Sequence, residues 1–139
     1  DTWGGMLSGQ LYKDFELPYV QKIFKEVDLP SIYYLKNAHH LLPSMVKVRA
    51  DFLSVCQTID LADEPLLVKS GKGIQGNLFN ALLYKDFDDL EKETLRVLKA
   101  AQRYKKFIFN LSHGIFPDID PAKLRFIADI AHQFPRHKR

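Results

Sequence analysis

The sequence predicts an α/β fold in which parallel strands alternate with helices. Four short apolar runs alternate with longer segments whose apolar residues recur at helical spacing. The short runs are almost continuously apolar, which is typical of strands covered on both faces of a parallel sheet. No linker, repeat or change of composition divides the 139 residues, so we expect residues 1–139 to form a single unit.

The strands are predicted from β-forming residues that lie between turn-forming ones. The first run follows Pro30, and the second contains Phe52, Leu53 and Val55. As a strand prediction the third run, which has Ile74 as its single large apolar residue, is the weakest, and the fourth, Lys-Phe-Ile-Phe-Asn-Leu, is the strongest. The predicted strands are Ser31–Leu35, Asp51–Cys56, Lys72–Gly76 and Lys106–Leu111.

The helices are predicted from amphipathic spacing and from capping residues. Pro18 suits the first turn of one helix, and Pro43 is expected to bend or split another. Asp120 and Pro121 are typical of the N-cap and first position of a last helix. The other helices are expected around Gln10–Phe15 and over Leu17–Val27, Ala38–Arg49, Asp60–Lys69 and Asp86–Gln102.

The helix over residues 86–102 has the clearest pattern. Acidic residues stand at its start and basic residues at its end, which matches the helix dipole. Its predicted buried stripe consists of Leu90, Leu95, Val97, Leu98 and Ala101. The shorter helix before it is expected to open on Asp60 and Asp63.

Charge and composition exclude several classes of protein. The net charge of +3 is too weak to indicate nucleic-acid binding, and the basic residues Arg136–Arg139 are expected to be a solvated tail. No apolar run approaches the ~18–20 residues that cross a membrane. Cys56 is the only cysteine, which excludes an internal disulfide and indicates a reducing, cytoplasmic location. The chain starts at Asp1 without methionine or signal-peptide features, so we expect that a preceding segment has been removed.

Three motifs favour structural roles over chemical ones. Residues 71–76 match the motif G-x-G-x-x-G, which in a dinucleotide site follows a strand and begins a helix. Here a helix is predicted before the motif and a strand within it, so the order is reversed. Cys56 ends a predicted strand and is expected to be a small buried residue. His39 and His40 are adjacent and no metal-ligand spacing occurs, so no metal site is predicted.

Two loops are candidates for a site. Asn110–Asp118 follows the fourth strand, so His113 and Gly114 are expected at the carboxyl edge of the sheet, where parallel folds bind ligands. A histidine there can bind carboxylates, although a packed loop histidine is the alternative. Asp1–Gly5 is polar and glycine-rich and offers the Thr2 hydroxyl. It is either the loop after a strand or a frayed terminus.

The chain resembles the uroporphyrinogen decarboxylase family in three blocks that occur in the family's order. Asp1–Gly5, with the later Leu17–Tyr19, resembles its Asp/Glu-Ser/Thr-x-x-Gly loop and Leu-Pro-Tyr helix start. Ile74–Leu78, followed by Ala81–Tyr84, resembles Leu-Gln-Gly-Asn-Leu and Ala-Leu-Tyr. The most specific block is Asn110–Asp118, which resembles Asn-Leu-Gly-His-Gly and Pro-Asp.

The sequence also departs from the family pattern at three places near strand ends. Residues 54–57 read Ser-Val-Cys-Gln, whereas the family usually has Gly-Leu-Asp-Trp. Phe79 and Asn80 stand where Asp-Pro is usual, and Ser112 replaces a glycine. These changes are typical of an unusual branch of the family.

The resemblance implies that the chain is the carboxyl-terminal part of a (β/α)8 barrel, which takes about 250 residues when complete. It implies removal of CO2 from the four acetate groups of the tetrapyrrole uroporphyrinogen III, giving coproporphyrinogen III without a cofactor. Of the family's site residues, two carry over: Thr2 to bind substrate, and His113 to bind substrate and act in catalysis. The resemblance further implies a homodimer for the full-length protein.

Two alternatives remain open at this point. The related cobalamin-dependent methyltransferases share the barrel, but they use a His-x-Cys pair and a further cysteine for zinc, whereas this chain has Tyr34–Asn37 and Cys56 alone. The other alternative is a non-catalytic fragment or interaction domain. As part of a barrel, the chain alone is expected to be inactive and to expose sheet edges and apolar surface, covered either by its own amino-terminal half or by a second copy.

Overall fold

A computed structural model describes residues 1–135 and confirms the predicted fold class. Four parallel strands form one sheet in chain order, with each strand paired to the next along the sequence. The strands are β1 (Ile32–Tyr34), β2 (Phe52–Ser54), β3 (Gly73–Leu78) and β4 (Phe107–Leu111). The run predicted as the weakest strand is the longest of the four. The basic residues Arg136–Arg139 lie outside the described range.

Helices fill the connections between the strands. Short 3-10 turns stand at Gly4–Met6, His39–Leu41 and Asn80–Tyr84, and a π-helical stretch, Tyr12–Glu16, joins the first two helices. The α-helices are α1 (Gly9–Leu11), α2 (Leu17–Glu26), α3 (Leu42–Met45), α4 (Pro65–Ser70), α5 (Phe87–Ala101) and α6 (Pro121–Gln133).

Two predicted helices are wrong in extent. The helix expected over 38–49 is instead a 3-10 turn followed by the single turn of α3. Pro43 lies in the first turn of α3, where a backbone N–H would have no helical partner, so its missing N–H costs no hydrogen bond. The helix expected over 60–69 begins only at α4. The Asp60 carboxylate accepts a hydrogen bond from the Ala62 N–H in a local turn. Glu64 caps the helix by accepting a hydrogen bond from the Leu66 N–H.

The helices α5 and α6 begin at their predicted starts, and an aspartate caps each of them. Asp86 accepts a hydrogen bond from the Asp89 N–H, and Asp120 accepts one from the Ala122 N–H. The buried stripe of α5 differs at one position: Thr94 is buried and Leu95 is half-buried, because position 94 continues the four-residue spacing from Leu90.

The sheet has two distinct faces. On the outer face, the register neighbours Tyr33, Leu53 and Ile74 are buried, and Phe24 of α2 packs edge-on against Tyr33 at 5.6 Å between ring centroids. We use "inner face" for the opposite side, whose register neighbours are Tyr34, Ser54, Gln75 and Ile108. This alternation places the hydrophobic core on the outer face, whereas the inner face carries Tyr34, Ser54 and Gln75 together with the exposed Ile108.

The glycines of residues 71–76 have structural roles. Gly71 ends α4 with φ +67°, and Gly73 and Gly76 lie within β3. A Cβ on Gly73 would lie 2.2 Å from the Phe52 ring, and one on Gly76 would lie 2.5 Å from the Val55 carbonyl oxygen. The motif therefore connects a helix to a strand, as predicted, and is not a phosphate loop.

Large apolar side chains are exposed along one side of α2 and on both edge strands. Tyr19 and Ile23 of α2 are exposed, as is Phe15 just before it, and Ile32 of β1 and Ile108 of β4 are exposed as well. Open apolar surface is what the sequence predicts for part of a barrel. Among residues 1–135, no helix is long and apolar enough to cross a membrane.

Candidate active site

The candidate site lies at the carboxyl edge of the sheet, where the strands end and the following loops begin. Because the strands are parallel, all four loops start at this edge, which is where open and closed parallel folds bind ligands. The two loops selected from the sequence, Asp1–Gly5 and Asn110–Asp118, both reach it. Each loop is hydrogen-bonded to the end of β1, the first through the backbone of Asp1 and the second through the Tyr34 hydroxyl.

Asp1 holds the amino-terminal loop against β1. Its backbone nitrogen donates to the Tyr34 carbonyl oxygen at 2.7 Å, and its own carbonyl oxygen accepts from the Lys36 N–H at 3.1 Å. These two bonds have the pattern of a parallel strand pair. The Asp1 carboxylate accepts from the N–H groups of Trp3 and Gly4 at 2.6 and 3.0 Å. The loop is therefore ordered, and Thr2 is exposed next to the end of β1.

Gly5 of this loop is needed for packing. A Cβ on Gly5 would lie 1.8 Å from the Lys36 carbonyl oxygen, and one on Gly4 would lie 2.4 Å from a Glu16 carboxylate oxygen. The Glu16 side chain can move aside, whereas no side chain fits between Gly5 and the main chain of Lys36. The glycine-rich composition thus reflects close packing on the end of β1.

The loop after β4 is tied to its neighbours through Ser112. The Ser112 N–H donates to the Leu78 carbonyl oxygen at 2.7 Å, and the Tyr34 hydroxyl donates to the Ser112 carbonyl oxygen at 3.0 Å. His113 follows with an exposed side chain, and its ring centroid lies 6.4 Å from that of Tyr34. A Cβ on Gly114 would meet nothing within 4 Å, so space is open beside the histidine.

Tyr34 is the residue that both loops share. Its carbonyl oxygen accepts a hydrogen bond from the Asp1 backbone nitrogen, and its side chain contacts the loop of His113. Burial, and secondarily the nearby Cys56, raise the pKa of Tyr34 to about 12, so its hydroxyl remains a hydrogen-bond donor at neutral pH. The sequence did not single out Tyr34. The available signal was a tyrosine at the end of a predicted strand.

Cys56 is buried, as predicted, and it also has hydrogen-bond partners. Its sulfur accepts from the Asn37 N–H at 3.2 Å and lies 3.1 Å from the Thr58 hydroxyl. Asn77 fixes the same loop by donating to the carbonyl oxygens of Cys56 and Ile59 at 3.1 and 2.6 Å. The thiol therefore organises the loop after β2.

The adjacent histidines have separate partners. His39 Nε2 lies 3.1 Å from a Glu64 carboxylate oxygen, and His40 Nε2 lies 2.9 Å from the Leu7 carbonyl oxygen. Within the part of the chain that the structure describes, no group of three histidine, cysteine or acidic side chains is placed to hold a metal ion.

Comparison with known proteins decides the family. The sequence profile of the family described as "Uroporphyrinogen decarboxylase (URO-D)" matches residues 1–134. The chain belongs to the uroporphyrinogen decarboxylase family. The uroporphyrinogen decarboxylase of Vesicomyosocius okutanii is 36% identical over 144 residues, which cover all of this chain and 42% of the relative. That of Aquifex aeolicus is 33% identical over 139 residues, which cover 97% of this chain and 40% of the relative.

The chain thus spans about 40% of the length of the curated uroporphyrinogen decarboxylases that it matches. Among solved structures, a methyltransferase from Methanosarcina mazei superposes with a TM-score of 0.75 and 18% identity. The match covers 92% of this chain and 38% of the methyltransferase. At this identity, the likeness concerns the fold alone, and the fold agrees with part of a TIM-type barrel.

Several departures from the uroporphyrinogen decarboxylase pattern make hydrogen bonds at the carboxyl edge. The Ser54 hydroxyl accepts from the Gln75 side-chain amide at 3.0 Å on the inner face. The Asn80 N–H donates to the Ser112 hydroxyl at 3.4 Å. The glycines that the resemblance implies at positions 54 and 112 have no hydroxyl to accept these bonds, and the proline that it implies at position 80 has no N–H to donate. Two of the departures therefore bond to each other.

Proposed function

We propose that this chain forms the carboxyl-terminal part of a (β/α)8 uroporphyrinogen decarboxylase. The proposed reaction converts uroporphyrinogen III to coproporphyrinogen III by removing four carboxyl groups as CO2, without a cofactor. The proposal includes a cytoplasmic location and a homodimer for the complete protein. Family membership over residues 1–134 supports the reaction, and the sheet order supports the barrel.

The observation that carries the proposal is the convergence of Thr2 and His113 on the end of β1. Thr2 follows the residue whose backbone bonds Tyr34 and Lys36, and His113 lies beside the Tyr34 ring. A hydroxyl and an imidazole that are distant in sequence thus occupy the same edge, and both are exposed. Groups of these types bind carboxylates by donating hydrogen bonds.

The proposed roles of the two residues follow from the reaction. Protonation of the pyrrole ring beside an acetate group produces a cation, which takes the electron pair of the carbon–carbon bond as CO2 leaves. The side-chain carbon then gains a proton and becomes a methyl group, and the ring loses its extra proton. His113 and Thr2 bind carboxylates of the substrate and so hold the reacting ring in place.

The proposal predicts that the chain decarboxylates uroporphyrinogen only when it is joined to the rest of a barrel. We would fuse it to the segment of the Aquifex aeolicus relative that precedes the aligned stretch. Both the fusion and the chain alone would be assayed anaerobically for coproporphyrinogen. We expect turnover by the fusion and none by the chain alone.

A fusion that unfolds cooperatively but has no turnover contradicts the proposed reaction. Turnover by the chain alone contradicts the expected inactivity of the fragment. If the fusion does not fold, we would instead titrate the chain with coproporphyrin III and monitor binding through the amide NMR signals. Signals of Thr2 and His113 that stay unchanged at millimolar ligand contradict their role in binding carboxylates.

Replacing His113 with asparagine is expected to lower kcat/KM of the active fusion by roughly ten- to a hundredfold. This corresponds to the ~1.5–3 kcal/mol of a hydrogen bond to a charged group. The matched control is His132→Asn, which changes an exposed histidine of α6 and is expected to leave kcat/KM unchanged. Equal rates for His113→Asn and the parent fusion would show that His113 has no such role.

A further inference from the structure

Asn80 is bonded to both sequence neighbours of His113. Its side-chain amide donates to the Gly114 carbonyl oxygen at 2.8 Å, and its backbone N–H donates to the Ser112 hydroxyl at 3.4 Å. Asn80 is only 6% exposed, and it belongs to the short 3-10 turn Asn80–Tyr84 that follows β3. A buried amide on one loop thus holds both sides of the exposed histidine on the next loop.

Ser112 is also bonded through its main chain. Its N–H donates to Leu78, its carbonyl oxygen accepts from Tyr34, and its hydroxyl accepts from Asn80. Backbone atoms on either side of His113 are therefore fixed, whereas its imidazole faces solvent. A group that must bind a ligand in one geometry needs this kind of support from the residues behind it.

We propose that Asn80 is the positioning residue of His113. This inference rests on the proposed function in so far as His113 binds substrate. Asn80 fixes the loop through Gly114 and Ser112, so that the imidazole is held over the carboxyl edge before substrate arrives.

The local backbone makes Asn80→Pro a usable test. Phe79 has φ −61° and ψ 120°, the extended conformation that a residue before proline prefers. Position 80 is the first of its 3-10 turn, so the missing N–H breaks no helical bond. Asn80→Pro therefore removes both bonds to the His113 loop, provided that the Ser112 hydroxyl turns away from the proline Cδ that replaces the N–H, and Asn80→Ala removes the side-chain bond alone.

The chain offers a matched control at the same edge. Asn77 is also 6% exposed, and its side-chain amide also donates to backbone carbonyl oxygens, but these belong to the loop at Cys56 and Ile59. Asn77→Ala loses hydrogen bonds of the same type as Asn80→Ala. It does so without touching the loop of His113.

The first measurement is ¹⁵N relaxation of the chain, together with exchange of the Ser112 amide. We expect order parameters of about 0.85 at His113 and Gly114 in the parent chain and below about 0.6 in Asn80→Ala and Asn80→Pro. Ser112 amide exchange is expected to quicken about five- to tenfold, the effect of one lost hydrogen bond. Asn77→Ala should change neither quantity. Order parameters that stay near the parent values in both Asn80 variants overturn the proposal.

The second measurement uses the active fusion and separates this inference from the proposed function. We expect Asn80→Ala to raise KM and lower kcat/KM about five- to tenfold. Unchanged kinetics together with a loosened loop overturn the catalytic part of the inference. Absence of turnover in the folded parent fusion refutes the proposed function, and the relaxation result then decides on its own whether Asn80 holds the loop.

Discussion

Replacing Gly76 with alanine is expected to lower the free energy of unfolding by about 3–5 kcal/mol. The new Cβ would lie 2.5 Å from the Val55 carbonyl oxygen and 3.6 Å from a Val55 methyl carbon. Main chain just beyond β2 cannot move aside without breaking the sheet, and overpacking of this kind costs about 1–3 kcal/mol. Gly76 also has φ +133°, which a residue with a Cβ adopts only with strain of the same order.

Urea unfolding of the chain measures this loss, and Gly71→Ala is its control. Gly71 also has positive φ, +67°, but a Cβ there would meet nothing within 4 Å. Its replacement should therefore cost only the strain of the backbone, about 1–2 kcal/mol. Equal losses for the two variants would show that contact with Val55 is unimportant.

Replacing Leu53 with alanine is expected to cost about 2–5 kcal/mol, the range for removing a fully buried leucine. Leu53 is 0% exposed in β2, between the buried register neighbours Tyr33 and Ile74 on the outer face. The cavity would be enclosed by two neighbouring strands and cannot collapse easily. Thermal or urea unfolding would register the change.

The comparison for Leu53→Ala is Ile108→Ala on the inner face. Ile108 is 38% exposed, so less apolar surface returns to water, and the expected cost is below about 1.5 kcal/mol. Similar losses for the two variants would contradict the assignment of the core to the outer face. A larger loss for Leu53 supports it.

The sequence predicted what local interactions determine. Asp86 and Asp120 accept hydrogen bonds from N–H groups within three residues of their own positions. The starts of α5 and α6 could therefore be predicted from the sequence. The four strands could also be predicted, because each is a short apolar run. Two predicted helices were wrong in extent: the one around Pro43 ends at Met45, and the one expected from Asp60 starts only after its cap at Glu64.

The candidate site was only half predictable, and sequence distance explains why. Thr2 and His113 were selected because the loops that carry them have recognisable motifs. Tyr34 and Asn80 support the second loop through bonds to Ser112 and Gly114, which are 78 and 34 residues away. Nothing in the local sequence of a strand end or a 3-10 turn reports such partners, since they are brought together only by the assembled sheet.

The bond from Tyr34 to Ser112 has a geometric consequence for the whole sheet. Tyr34 ends β1 and Ser112 follows β4, the two outermost strands, which in a flat sheet would lie three spacings or about 14 Å apart. No single side chain closes that gap to the observed 3.0 Å. The sheet must therefore curl toward Tyr34, whose side chain is a chord across the arc. The inner face is therefore the concave side of the sheet, and the Tyr34 side chain spans it at the edge where Thr2 and His113 lie.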